Sequence, residues 1–96
     1  MTLAKMLIPQ HLRHFPYCEQ QLKAWYQEAD FASWKGPKDV KRDYQSASFL
    51  ADNRVVFNIK GNHYRLIVRV NYAYQMVWIR FFGTHSQYDR IDASKI

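Results

Sequence analysis

Hydrophobic positions change their period near the middle of the chain. Leu7, Ile8, Leu12 and Phe15 recur at helical intervals before Pro16. From Cys18 to Phe31, an apolar stripe of Leu22, Trp25, Tyr26 and Ala29, with Glu19, Lys23 and Glu28 off it, predicts an amphipathic helix of about three to four turns. Ser33, Trp34, Gly36 and Pro37 end that helix, and Lys38 to Tyr44 reads as a short charged helix on the surface.

Beyond residue 53 the spacing becomes two. Val55 to Ile59, Tyr64 to Tyr72 and Met76 to Phe82 are rich in β-branched and aromatic residues, and Gly61-Asn62 is a two-residue hairpin signal. This predicts an antiparallel meander in which 60 pairs with 63, 58 with 65, 56 with 67 and 54 with 69. Val55, Phe57 and Ile59 then share a core face with Tyr64, Leu66, Val68 and Val70, onto which the long helix packs. A four-residue loop from Tyr72 to Gln75 would pair 70 with 77 and 66 with 81, adding Val77, Ile79 and Phe81 to that face. The opposite face collects Arg54, Asn58, Lys60, His63, Arg65 and Arg69, joined by Trp78, Arg80 and Phe82 and by Ile67. The fold class is therefore α+β, with helices on one face of a small antiparallel sheet.

Charge sharpens this picture. The chain of 96 residues carries a formal +6 and fits one domain, residues 1–96. Residues 1–52 hold seven basic and six acidic side chains, whereas 53–96 hold seven and two. The partner-binding half is the second. Arg54 faces Arg69 in the derived register, a like-charge pair that destabilises a sheet, and no acidic residue is expected on that face. Such a face suits phosphate. Sixteen aromatic residues, 17% of the chain, exceed what so small a core needs, so some should reach the surface. A single cysteine, Cys18, excludes an internal disulfide framework and a thiolate zinc cluster. The four histidines lack ligand spacing, so neither metal nor cofactor is expected. No apolar run approaches the roughly 20 residues of a spanning helix, and Lys5 and Pro9 interrupt any signal core, so a cytoplasmic protein is expected, without a membrane partner.

Basic side chains interleaved with aromatics fit RNA, whose bases stack on aromatic or Arg planes while Lys and Arg neutralise its backbone. The same residue types permit chemistry. Metal-free cleavage needs one group to draw the proton from a 2′-hydroxyl, another to protonate the leaving 5′-oxygen, and cations for the charge on the phosphorane. Lys60, His63, Arg65, Arg80, His85 and Tyr88 supply these types, the last two in the segment leaving the third strand. His11 and His14 fall in the helical half as surface or cap residues.

Two stretches carry a resemblance. Val56 to Leu66, with Asn58, Gly61, Asn62 and Arg65, continued by Ile79 to His85 with Arg80 and Thr84, and by Tyr88-Asp89, resembles the HigB branch of the RelE superfamily of toxins. The resemblance covers nearly the whole chain. It implies a bacterial type II toxin that cleaves mRNA on the translating ribosome, a monomeric toxin neutralised in complex with a helix-turn-helix, HigA-like antitoxin. It also implies a RelE-like layout in which Leu3 to Met6 supplies an edge strand before the helices. Carried over by residue type, His85 or Tyr88 would transfer protons, and Arg80 and Arg65 would stabilise the phosphorane. Lys60, Asn58, His63, Arg69, Arg54 and Trp78 would bind RNA. Gly61 and Asn62 make the turn, and Asp89 caps the last helix or orients a neighbour. The alternative is a non-catalytic basic RNA-binding module, or a toxin homologue that has lost its activity.

Overall fold

The computed structural model describes residues 2–3, 19–59 and 63–96. Among them, β1 (Thr2–Leu3) precedes α1 (Glu19–Phe31) and α2 (Pro37–Asp43). Strands β2 (Ser48–Leu50), β3 (Arg54–Ile59), β4 (Tyr64–Asn71) and β5 (Met76–Thr84) follow, then α3 (His85–Asp89) and a 3-10 turn at Ala93–Lys95. One sheet in the order β1-β5-β4-β3-β2 holds all five strands. Strands β2 to β5 form an antiparallel meander, and β1 pairs parallel with β5 as an edge strand. This is the expected α+β layout with one more antiparallel strand, β2. The expected N-terminal helical stretch, Cys18 and the hairpin tip at Lys60, Gly61 and Asn62 lie outside the described residues, as do positions 4 to 6 of the expected edge strand.

Period-two patterning fixes the centre of the sheet. Arg54 pairs with Arg69, Val56 with Ile67 and Asn58 with Arg65, the register derived from the sequence. One face receives the helices: Trp25 and Ala29 of α1, Trp34 of the segment between α1 and α2, and Val40 of α2 bury against Val55, Phe57, Leu66, Val68, Val70, Val77 and Phe82. Phe57 is the hub of this core. Its ring meets Trp25 at 5.4 Å, Tyr44 at 5.0 Å and Trp34 at 6.2 Å, edge-on to the first two and stacked on the third. Each such aromatic pair is worth about 0.5–1.5 kcal/mol beyond the area it buries. The helices depart from expectation in two details. Tyr26 is exposed rather than part of the stripe, and the short charged α2 anchors itself through the fully buried Val40.

The third strand corrects the derived register. Val70 pairs with Val77 as expected, but Leu66 pairs with Phe82 and not with residue 81, because the ladder shifts between Ile67 and Val68. Ile67 faces Phe81 and Val68 faces Ile79, so Arg80 is an extra residue without a ladder partner, a β-bulge. Beyond it the faces exchange: Phe82 is core, and Phe81 takes the place expected of it on the opposite face. Arg80 consequently does not stand beside Arg65; Gly83 does.

Nor is the opposite face bare. Val56 and Ile67 are buried on it, apart from the main core. The chain after α3 reaches this side at Ile96, whose carbonyl accepts from Arg54 Nε at 2.7 Å. An acidic residue is present too: Asp52 accepts from Arg54 Nη1 through Oδ2 and from Arg69 Nη2 through Oδ1, each at 3.2 Å. That bridge explains how two arginines stand opposite each other. Asp52 and Asn53 make the β2–β3 turn with φ of 63° and 59°, left-handed values that Asp and Asn tolerate better than other side-chain-bearing residues.

Candidate active site

Thr84 begins the site by starting α3. Its hydroxyl accepts from the Gln87 backbone N–H at 3.2 Å, while Gln87 Oε1 accepts from the Thr84 N–H at 2.8 Å, a reciprocal capping box. Gly83 makes room for this fold-back. A Cβ there would stand 2.6 Å from Gln87 Oε1 and 2.8 Å from Phe81 Cζ. The chain thus turns sharply from β5 and lays α3 against β4 and β5 on the face opposite the core helices. A backbone bond from the His85 N–H to the His63 carbonyl, at 3.0 Å, ties this start to the head of β4.

This geometry brings His85, Tyr88, Arg65, His63 and Asn58 to one end of the sheet. Asn58, Arg65 and Gly83 lie in one cross-strand row. The Arg65 guanidinium carbon sits 5.9 Å from the centre of the Tyr88 ring, within cation–π range. His85 Nδ1 is 2.9 Å from Asp89 Oδ2, one helical turn on. A carboxylate only accepts, so the Nδ1 proton is directed to Asp89 and Nε2 is the nitrogen left for chemistry. A neutral His85 then offers a lone pair at Nε2, and a protonated one offers a proton there. Both His85 and Asp89 are about half exposed, which leaves the pair open to a ligand. The Asn58 amide donates to the Ser46 carbonyl at 3.5 Å. Asp89, an orienting partner of His85, belongs to this site; its signal was the spacing of four from a histidine on a short helix.

The remaining expected residues gather elsewhere. Arg69, Trp78 and Arg80 line a separate groove of about 550 Å³ with Asn53, Asn71 and Tyr72. Four residues along β4 separate Arg65 from Arg69, about 13 Å, with the Val56–Ile67–Phe81 row between them. Arg54 joins neither group. Its side chain is 12% exposed and is committed to Asp52 and to the Ile96 carbonyl. Lys60 lies outside the described residues. Among the described residues no three His, Cys, Asp or Glu side chains converge as a metal site, and no helix is long and apolar enough to cross a membrane.

Two groups in the helical half are electrostatically displaced. The Trp34 indole N–H donates to Asp43 Oδ2 at 2.9 Å, holding that carboxyl below its usual range, with Arg42 assisting. Burial, and then the Glu28 carboxylate that accepts its hydroxyl, push the Tyr44 phenol well above the usual tyrosine range.

Comparison with known families gives a match to the HigB toxin, described as the RelE-like toxic component of a toxin–antitoxin system, over residues 18–91. The match takes in α1 through α3, and so every described member of both residue groups. No curated protein matches the chain.

Proposed function

Because the chain belongs to the HigB toxin family, the RelE-like toxic components of toxin–antitoxin systems, we propose that it acts as a metal-independent endoribonuclease that cleaves mRNA on the ribosome and is held in check by a helix-turn-helix antitoxin. The observation that carries this reading is the convergence of an Asp89-oriented His85, Tyr88 and Arg65 on one exposed end of the sheet.

In this mechanism the 2′-oxygen attacks the adjacent phosphorus as its proton passes to a base. The phosphorus–5′-oxygen bond breaks as that oxygen takes a proton from an acid, leaving a 2′,3′-cyclic phosphate and a 5′-hydroxyl. His85 Nε2 and the Tyr88 hydroxyl are the two proton-transfer groups, each worth roughly a hundred- to ten-thousand-fold in rate. Arg65 faces the phosphorane, where loss of one donor typically costs about a hundred- to a thousand-fold. Lys60, His63 and Asn58 hold RNA around the scissile bond. Arg69 and Arg80 hold neighbouring phosphates, because the bulge carries Arg80 to their groove and away from Arg65.

The test is induced expression in a bacterium with and without the neighbouring antitoxin frame, beside cleavage of ribosome-bound mRNA in vitro. Growth arrest, rescue by the antitoxin, and loss of both toxicity and cleavage in His85→Ala are expected. A folded, soluble chain that leaves growth and mRNA intact would overturn the enzyme and favour the non-catalytic binding module.

A further inference from the structure

The groove around Trp78 has a composition of its own. Its lining includes the partly buried Trp78 together with Arg69, its direct cross-strand partner, and Arg80. Arg80 is exposed, and as the bulged residue it is released from the alternation of the strand. Asn71 also lines it, and its orientation is set locally: Oδ1 accepts the Tyr74 backbone N–H at 3.0 Å. Its NH2 group is left to donate. The volume, about 550 Å³, lies inside the roughly 300–1,000 Å³ of small-molecule sites.

A planar π-face, two forked cations beside it and one neutral donor are together the complement of a nucleotide. The base stacks on the indole, the phosphate takes the guanidiniums, and a base-edge acceptor takes the amide. An acidic peptide would use the arginines and leave the indole plane without a purpose. The groove shares its face with His85, Tyr88 and Arg65 and stands about 13 Å from Arg65 along β4, a span one extended strand of RNA can cross.

We propose that this groove is a subsite for one nucleotide flanking the cleaved phosphate, with its base stacked on Trp78, its phosphate held by Arg69 and Arg80, and an acceptor on its base edge read by Asn71. The assignment of the flank rests on the cleavage reading; the binding itself does not.

The test uses the full chain and a short, non-cleavable 2′-O-methyl oligoribonucleotide. Trp25 and Trp34 are buried at 2% and 1% exposure, so quenching of tryptophan emission on binding reports Trp78. Trp78→Ala should abolish the quench and weaken binding about 5- to 140-fold, the range for loss of one stacked base. Trp78→Phe should keep most of the affinity. An abasic position introduced stepwise along the oligonucleotide should weaken binding to the parent at one position, and that position should lose nothing further against Trp78→Ala. Equal affinity of parent and Trp78→Ala, or losses that simply add at every abasic position, would overturn the subsite. So would an acidic peptide that outcompetes the oligonucleotide in a Trp78-dependent way. Failure of the two readings is separable: if the chain cuts no RNA but the Trp78 cycle holds, the subsite stands and cleavage falls. If the chain cuts RNA with unchanged KM in Trp78→Ala, cleavage stands and the subsite falls.

Discussion

Replacing Asp52 with Asn should destabilise the protein while tightening its grip on RNA. Asn tolerates the left-handed backbone at this position nearly as well as Asp, so the substitution removes charge and leaves the turn intact. Two ion pairs go with the carboxylate. Arg69 is 48% exposed, so its contact is worth little, while Arg54 at 12% gives the stronger one; exposed pairs span about 0.2–1 kcal/mol. The two arginines, directly paired across β3 and β4, then face each other unscreened, at a further cost of roughly 0.2–1 kcal/mol. The total is about 1–2 kcal/mol, and a domain of this size loses about 4–8 °C of Tm per kcal/mol. Thermal melts at low and high salt measure it: the deficit should narrow as salt screens both attraction and repulsion. Asp52→Ala should be worse, since it adds a left-handed penalty of about 1 kcal/mol. RNA affinity should rise in Asp52→Asn because Arg69 is released. A variant that melts with the parent, or a deficit indifferent to salt, would refute the charge argument.

Four further outcomes are expected. Gly83→Ala should cost about 1–3 kcal/mol in denaturant titrations through overpacking against Gln87 and Phe81, and cleavage should fall with it because α3 carries His85 and Tyr88. Asp89→Asn should leave the melt of this exposed pair unchanged and lower kcat with little change in KM, with Asp89→Glu recovering part of the rate; a displaced melt with an unmoved kcat would make Asp89 merely structural. Val40→Ala should lose roughly 1–3 kcal/mol by opening a cavity beneath α2, read by denaturant midpoint. The Tyr44 phenol is raised by burial and by Glu28, so the folded state keeps its proton where the unfolded chain has lost it. Stability should therefore fall as pH climbs past about 10, and Tyr44→Phe should flatten that fall in alkaline melts.

The centre of the sheet was legible because one turn signal in the sequence, Gly61-Asn62, predicts the register observed between two strands, and parity then assigns every side chain to a face. The same parity argument failed after Arg80, since an inserted residue leaves composition unchanged: Phe81 and Phe82 are equally apolar, and only tertiary packing decides which enters the core. Strand β2 escaped notice because three residues are too few to show a period, although Asp52-Asn53 is a turn signal. The covering of the basic face was foreshadowed by Ile67, an apolar residue among cations, directly opposite Val56. For the site, residue types at His85, Tyr88 and Arg65 could be read from the chain. The place of Arg80 in the second group could not, because it follows from the bulge.

That bulge has a consequence for shape. With Arg80 excised, Ile79 and Phe81 would continue an unbroken ladder against Val68 and Ile67, and no pairing elsewhere would change. The ladder itself has no use for this residue. What it does set is curvature, since a bulge strengthens the local right-handed twist and bends its strand, and here the bend lies between the Trp78 groove and the end of β5 from which α3 springs. One unpaired residue therefore governs the angle at which the two halves of the face meet. Arg80→Ala would remove the charge and keep that angle, whereas excision would remove both, so the pair of variants separates what the guanidinium binds from how the surface is bent to receive it.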